Sequence, residues 1–160
     1  MVDLNEFRDD DLVRRGRTAL RSGRPRVANE FFSEYCNRRI RDAQPIAASL
    51  LADHALAIAY LGDLKEAAEI CFRALARERR NADVFATLAR VYFLSGSRRK
   101  AVDAIERGLA LSPQHTRLLA FRDEFGVRRP RVLPFLPRGN RWNVMLGRIL
   151  DRLQSRRRTA

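Results

Sequence analysis

Between Ala48 and Gln114 the apolar and small residues return at a spacing of 34 residues: Ala55 pairs with Ala89, Gly62 with Gly96, Ala67 with Ala101, Ala74 with Gly108 and Leu75 with Leu109. A fixed period of this length signals stacked supersecondary units. Each unit reads as two helices, the first running up to the Gly and the second from the Ala to the Leu. The second unit ends at Leu111-Ser112-Pro113, where Pro blocks continuation of the helix.

Aligning Gly23 with Gly62 and Gly96 adds an N-terminal unit. Asp9, Asp10 and Asp11 favour the positive end of a helix dipole at its start. Leu12, Gly16, Ala19 and Leu20 make an apolar stripe, and Ser22-Gly23-Arg24-Pro25 reads as a turn, with Pro25 suited to a first helical turn. The next helix carries Val27, Ala28, Phe31, Phe32, Tyr35 and Cys36. Gly23 and Gly62 are 39 residues apart, so the join holds five extra residues around Arg41 to Pro45, and these predict a longer second helix or a loop. The expectation is three repeats, at 9–42, 48–81 and 82–115, about the minimum that buries a continuous core in a stack. A flexible lead over 1–8 precedes them. A capping helix over 116–125 closes them, its Leu118, Leu119, Phe121 and Phe125 covering the open apolar end and Gly126 terminating it.

The pattern then changes. Arg128 to Gly139 holds three Pro in eight residues, so 126–139 is expected to be an extended basic arm. Its Val132, Leu133, Phe135 and Leu136 point to an arm that lies against a surface. Asn140 caps a new helix over 140–154, with an amphipathic stripe of Trp142, Met145, Leu146, Ile149, Leu150 and Leu153. Residues 155–160 read as a basic disordered tail.

The small residues, turn glycines and Pro113 resemble the tetratricopeptide repeat. The third unit fits best, with Phe85, Leu88, Ala89 and Tyr92 on its first helix, then Gly96, Ala101, Ile105, Gly108 and Pro113. The second is looser: His54 stands where the family has Leu, and Arg79 where it has Pro. Ala or Gly at the small positions lets helix backbones approach closely. The resemblance implies an all-α fold, a short α-solenoid of about three such helix pairs with the capping helix, extended arm and C-terminal amphipathic helix added. It also implies a surface that binds peptides or proteins and catalyses nothing.

Carried over residue by residue, the family's groove-lining positions fall on Asp10, Val13, Arg17, Leu20 and Arg21, on Ser49, Ala52, Leu56, Ala59 and Tyr60, and on Asp83, Ala86, Arg90, Phe93 and Leu94. The expected binding residues are Val13, Arg17, Leu20, Leu56, Tyr60, Asp83, Arg90, Phe93 and Leu94. Some family members clamp a C-terminal carboxylate with cationic and amide side chains. Those positions hold Val13, Arg17, Asp53, Asp83 and Thr87 here, so that ligand class is rejected in favour of an amphipathic or extended apolar peptide.

Composition alters this picture mainly at the C-terminus. The 160 residues suit one domain, and the net charge is +13. Residues 126–160 hold ten Arg against Asp151, which points to an acidic protein, nucleic acid or an anionic membrane as partner. Six apolar side chains worth about 1.5–3 kcal/mol each are too many to leave in water. C-terminal docking is therefore expected through Phe135, Leu136, Trp142, Met145, Leu146, Ile149, Leu150 and Leu153. The occupants weighed are the chain's own repeats, another protein and a membrane surface, with protein favoured. Nucleic acid is disfavoured because no recognition motif accompanies the Arg cluster. A homodimer through exposed end faces stays open.

No catalytic set is evident, and no cofactor or metal is expected. His54 reads as a satisfied core or rim histidine and His115 as a solvent-exposed helix start. Cys36 and Cys71 read as small core residues, which fits a reducing, cytoplasmic setting with peripheral membrane attachment open. The acidic N-terminus does not read as a signal peptide. The run Pro45 to Leu61, broken by Asp53 and His54, reads as a repeat helix rather than a membrane span. The expected role is a non-catalytic adaptor or assembly factor.

Overall fold

The computed structural model describes residue 4 and residues 7–125 of the chain. Within them lie α1 Asp9–Arg21, α2 Pro25–Arg41, α3 Ala48–Leu61, α4 Leu64–Arg77, α5 Ala82–Leu94, α6 Arg98–Leu111 and α7 Thr116–Glu124. The arm, the amphipathic helix and the tail expected over 126–160 lie outside the described residues, as do all the expected C-terminal docking residues.

Short turns join α1 to α2, α3 to α4 and α5 to α6, and connections of this length make antiparallel neighbours. The pairs stack because α2 packs on α3 and α4 on α5. Contacts also run from α1 to α3 and from α3 to α5, so the first helices form one layer and the second helices the other. α7 packs on α5 and α6.

The chain's punctuation explains where the helices begin and end. Gly23 and Gly96 take positive φ, 66° and 73°. Each sits where the next amide bonds back five residues, Arg24 N–H to the Ala19 carbonyl and Ser97 N–H to the Tyr92 carbonyl. That closing motif needs a left-handed residue, which Gly supplies without a Cβ clash. At the widened join both sequence options occur together. α2 extends to Arg41, a loop follows, and Ala43 takes φ 51° in the same closing motif, with Gln44 N–H on the Arg39 carbonyl. Asp63 caps α4 by accepting from Glu66 N–H, and Asn81 caps α5 by accepting from the amides of Asp83 and Val84.

Small residues set the helix spacing. Ala28, Ala67 and Ala101 are fully buried. A Cβ on Gly16 would lie 2.6 Å from Phe32 Cε1, and one on Gly108 would lie 2.5 Å from Leu118 Cδ1 and 3.0 Å from Phe85 Cβ. α3 is flanked by helices on both sides, so Leu50, Ala55, Ala57 and Ile58 are all buried although they point in different directions.

Of the lead expected to be flexible over 1–8, residues 4, 7 and 8 are described. Phe7 packs edge-to-face on Phe31 with centroids 6.1 Å apart. Arg38 donates to the carbonyls of Leu4 and Phe7, both at 2.6 Å. These contacts tie Leu4 and Phe7 to α2.

Candidate functional site

The first-helix layer holds a groove of about 450 Å³. Arg17, Leu20 and Arg21 of α1 line it with Ser49, Asp53, Leu56 and Tyr60 of α3, and Asp83 of α5 and Arg117 of α7 complete it. The α1 and α3 sets recur at three- and four-residue steps, which places each on one helix face. Tyr60 is 45 % exposed and offers an open aromatic surface.

Carboxylates order the floor. Asp53, with a side chain only 13 % exposed, accepts from Arg17 Nε at 2.7 Å and faces Arg117 Nη1 at 3.6 Å. Arg117 also lies 3.8 Å from Asp83 and donates to Thr87 Oγ1 at 3.2 Å. Thr87 is completely buried and donates to the Ala52 carbonyl, so the network is tied to the α3 backbone. Both acids are thus engaged with cations of the domain itself, and the groove presents paired charges beside an apolar strip of Leu20, Leu56 and Tyr60.

Five of the expected binding residues, Arg17, Leu20, Leu56, Tyr60 and Asp83, come together here. Val13 lines an adjoining depression that shares Arg17, Arg21 and Ser49. Arg90 and Phe93 are engaged elsewhere, by the end of α7 and the Phe125 that follows it. Arg90 binds Glu124 through both terminal nitrogens, and Phe93 stacks on Phe125 with centroids 3.9 Å apart and planes within 5°. Leu94 is 41 % exposed at the end of α5 and is not among the groove's lining residues. Arg117 is the residue that the sequence reading missed. The signal was present, since one more step of 34 residues from Asp83 lands on Arg117.

His54 is held on all its polar atoms. Nε2 lies 3.0 Å from Asn29 Oδ1 and 3.3 Å from Ser33 Oγ, while Nδ1 lies 3.7 Å from Cys36 Sγ. Asn29 Oδ1 can only accept, so the proton belongs on Nε2, and Nδ1 accepts from the thiol. Burial, aided by the Arg73 charge, lowers the His54 pKa from its ordinary 6.5 and keeps the ring neutral. His115 starts α7 as expected but is not solvent-exposed. Nδ1 accepts the Leu118 amide, Nε2 lies 3.1 Å from Asp83, and only 16 % of the side chain is exposed. Neither cysteine is in a disulfide. Burial pushes the Cys36 thiol up to about 11, opposed by the Arg73 charge, and the Cys71 thiol up to about 12, so neither is an activated nucleophile.

Among the described residues no group of three or more His, Cys, Asp or Glu side chains is placed to hold a metal ion. No described helix is long and apolar enough to cross a membrane.

Residues 59–123 match the family model for the tetratricopeptide repeat. No curated protein matches the chain by sequence. Among solved structures, the TPR domain of Arabidopsis OM64 is similar at 15% identity and TM-score 0.59, over 74% of this chain and 93% of that one. The first TPR domain of human RPAP3 is similar at 19% identity and TM-score 0.60, over 74% and 89%. Its second TPR domain, determined in complex with an HSP70 peptide, is similar at 20% identity and TM-score 0.55, over 75% and 93%. With its paired helices, turn glycines and small-residue contacts, the described part of the chain has the fold of a tetratricopeptide-repeat domain, and residues 59–123 match that repeat family.

Proposed function

We propose that the chain is a non-catalytic protein-interaction module, an adaptor or assembly factor that receives a partner peptide or helix in the first-helix groove. The observation that carries this is the open Leu20, Leu56 and Tyr60 strip beside an ordered Arg17–Asp53–Arg117 floor. An extended peptide would lay apolar side chains on the strip and hydrogen-bond to the polar floor. The fold is one that typically binds proteins rather than catalysing reactions, and one similar domain was determined with a peptide bound. A C-terminal carboxylate clamp is not the proposed mode, because Asp53 and Asp83 stand where such a ligand needs cations or amides.

The test is to select peptides from a random display library on the intact chain and remeasure them on Tyr60→Ala and Leu56→Ala. Selected peptides rich in apolar residues should lose at least about tenfold in affinity, the equivalent of 1.4 kcal/mol. Selected peptides indifferent to both substitutions would remove the groove as the binding site.

A second reading rests on the sequence of 126–160, where ten Arg accompany the Trp142 to Leu153 stripe. This is peripheral attachment to an anionic membrane, with the repeats presenting a partner. It requires vesicle binding that salt weakens and that deletion of 140–160 abolishes.

A further inference from the structure

The second-helix layer holds a groove of its own, of about 490 Å³, between α2 and α4 with α3 as its floor. It lies beside the widened α2–α3 join. Ile40, Ile46, Leu51 and Ile70 make it apolar. Ile40 is 69 % exposed, the most exposed large hydrophobic side chain among the described residues. The floor is fixed rather than adaptable, because the His54 ring is tied to Asn29, Ser33 and Cys36. Both ring nitrogens are engaged, so the floor offers a ring surface and no open hydrogen-bonding atom. The volume falls within the range of ligand-binding clefts.

One edge of this groove is cationic. Arg73 and Arg77 line it, one turn apart on the same face of α4. Neither forms an ion pair among the described residues, unlike Arg17 and Arg117 in the other groove. Glu66 also lines the groove, but it stands seven residues before Arg73, about 10 Å along the helix axis. Charge complementarity therefore calls for an anion beside the apolar cleft, held near the C-terminal end of α4.

We propose that this groove is a second docking site, taking a segment of a partner protein in which a bulky apolar residue is flanked by Asp or Glu. The apolar side chain enters between Ile40, Leu51 and Ile70, and the carboxylates meet Arg73 and Arg77 as charge-assisted hydrogen bonds. The site is separate from the first-helix groove, so one chain can hold two partner segments at once.

The intact isotope-labelled chain, titrated with the blocked probe peptide Glu-Glu-Leu-Phe-Glu-Glu and with its Lys-for-Glu counterpart, tests this by amide chemical-shift changes. The acidic probe should move the amides of Ile40, Ile46, Leu51 and Arg73, and the Lys probe should bind at least about tenfold more weakly. The same loss is expected for Ile40→Asp and for the pair Arg73→Glu and Arg77→Glu. These side chains are exposed, so the variants should keep the helical signal of the parent. Tyr60→Ala, which reports on the other groove, should leave the acidic probe unaffected, so failure of that groove's role would not be mistaken for failure here. Equal affinity for both probes, shifts lost only with Tyr60→Ala, or no shift at millimolar probe would each overturn the proposal. So would self-association of the chain that Ile40→Asp abolishes, since the face would then belong to a second copy.

Discussion

Arg90 grips Glu124 through two parallel hydrogen bonds, Nη1 to Oε1 and Nη2 to Oε2, both 2.8 Å long and spanning one full repeat of 34 residues. The same guanidinium lies 4.4 Å from the Phe121 ring centroid. Its Nε is buried with no partner among the described residues, a cost that the fork and the ring must outweigh. The Glu124 side chain is about half exposed, so Glu124→Ala should cost only about 1 kcal/mol. Arg90→Ala also loses its packed stem and the ring contact and should cost about 2 kcal/mol. Urea unfolding of both variants and of the double variant checks this. The double variant should fall short of the sum by most of the Glu124 effect.

Ala43 occupies the left-handed helix-closing position that Gly fills at 23 and 96. A Cβ there costs about 1–2 kcal/mol, against which a Gly loses less than 1 kcal/mol through the freedom it gains when unfolded. Ala43 is also exposed, so no packing is at stake. Ala43→Gly should therefore stabilise the domain by about 0.5–1 kcal/mol. Thermal unfolding would show the gain as a higher midpoint, and a lower midpoint would mean that the loop relaxes the strain in solution.

Gly16→Ala tests the opposite case. Helix propensity favours Ala by about 1 kcal/mol, but its Cβ would meet Phe32 Cε1 at 2.6 Å, and Phe32 is fully buried. Overpacking of this kind costs about 1–3 kcal/mol, so a net loss is expected. In a Phe32→Leu background the clash is gone, and the same Gly16→Ala change should become neutral or stabilising. A loss of equal size in both backgrounds would locate the cost elsewhere.

These residues show which parts of the fold were legible. Turn glycines and small contact residues are dictated by backbone geometry at fixed places in the repeat, so Gly23, Gly62, Gly96, Gly16 and Gly108 could be read from spacing alone. The Tyr60 and Leu56 face was legible for the same reason, through helical periodicity. What escaped is pairing between side chains far apart in sequence. Arg117 reads as the polar face of a capping helix, yet it reaches Asp53 and Asp83. Glu124 and Phe125 read as the end of a cap, yet they engage Arg90 and Phe93. Extending the 34-residue period one step past Pro113 would have placed α7 as a first helix facing the groove.

His54 predicts an acid-side instability. Its folded pKa is lowered from 6.5 by burial and by Arg73. Above pH 6.5 the ring is neutral in both states and has no effect on the balance. Below it the unfolded chain takes up a proton that the folded chain refuses. Stability then falls as pH drops, by at most about 1.4 kcal/mol per pH unit, until the folded pKa is passed. His54→Leu removes this contribution. The stability difference between parent and variant should be constant above about pH 6.5 and should shift in the variant's favour toward pH 5. A pH-independent difference would mean that the folded ring titrates normally.

Asp53 anchors the first-helix groove, and its neutral isostere separates charge from shape. Asp53→Asn keeps the volume but strips Arg17 and Arg117 of their shared carboxylate, 2.7 Å and 3.6 Å away. Both arginines keep partial exposure, 45 % and 34 % of the side chain, so water screens much of the loss and the cost should be about 1 kcal/mol. Pairing it with Arg17→Met should recover part of that cost, because the uncompensated cation leaves with its partner. The effect on binding should run the other way. Arg17 would be released and Arg117 left with Asp83 as its one carboxylate, so acidic peptides should bind Asp53→Asn more tightly than the parent, with a steeper loss as salt is raised. Anisotropy titrations of one acidic and one neutral groove peptide at two salt concentrations decide it. A gain confined to the acidic peptide is expected. Equal affinities on parent and variant would mean that Arg17 and Arg117 do not face the bound peptide.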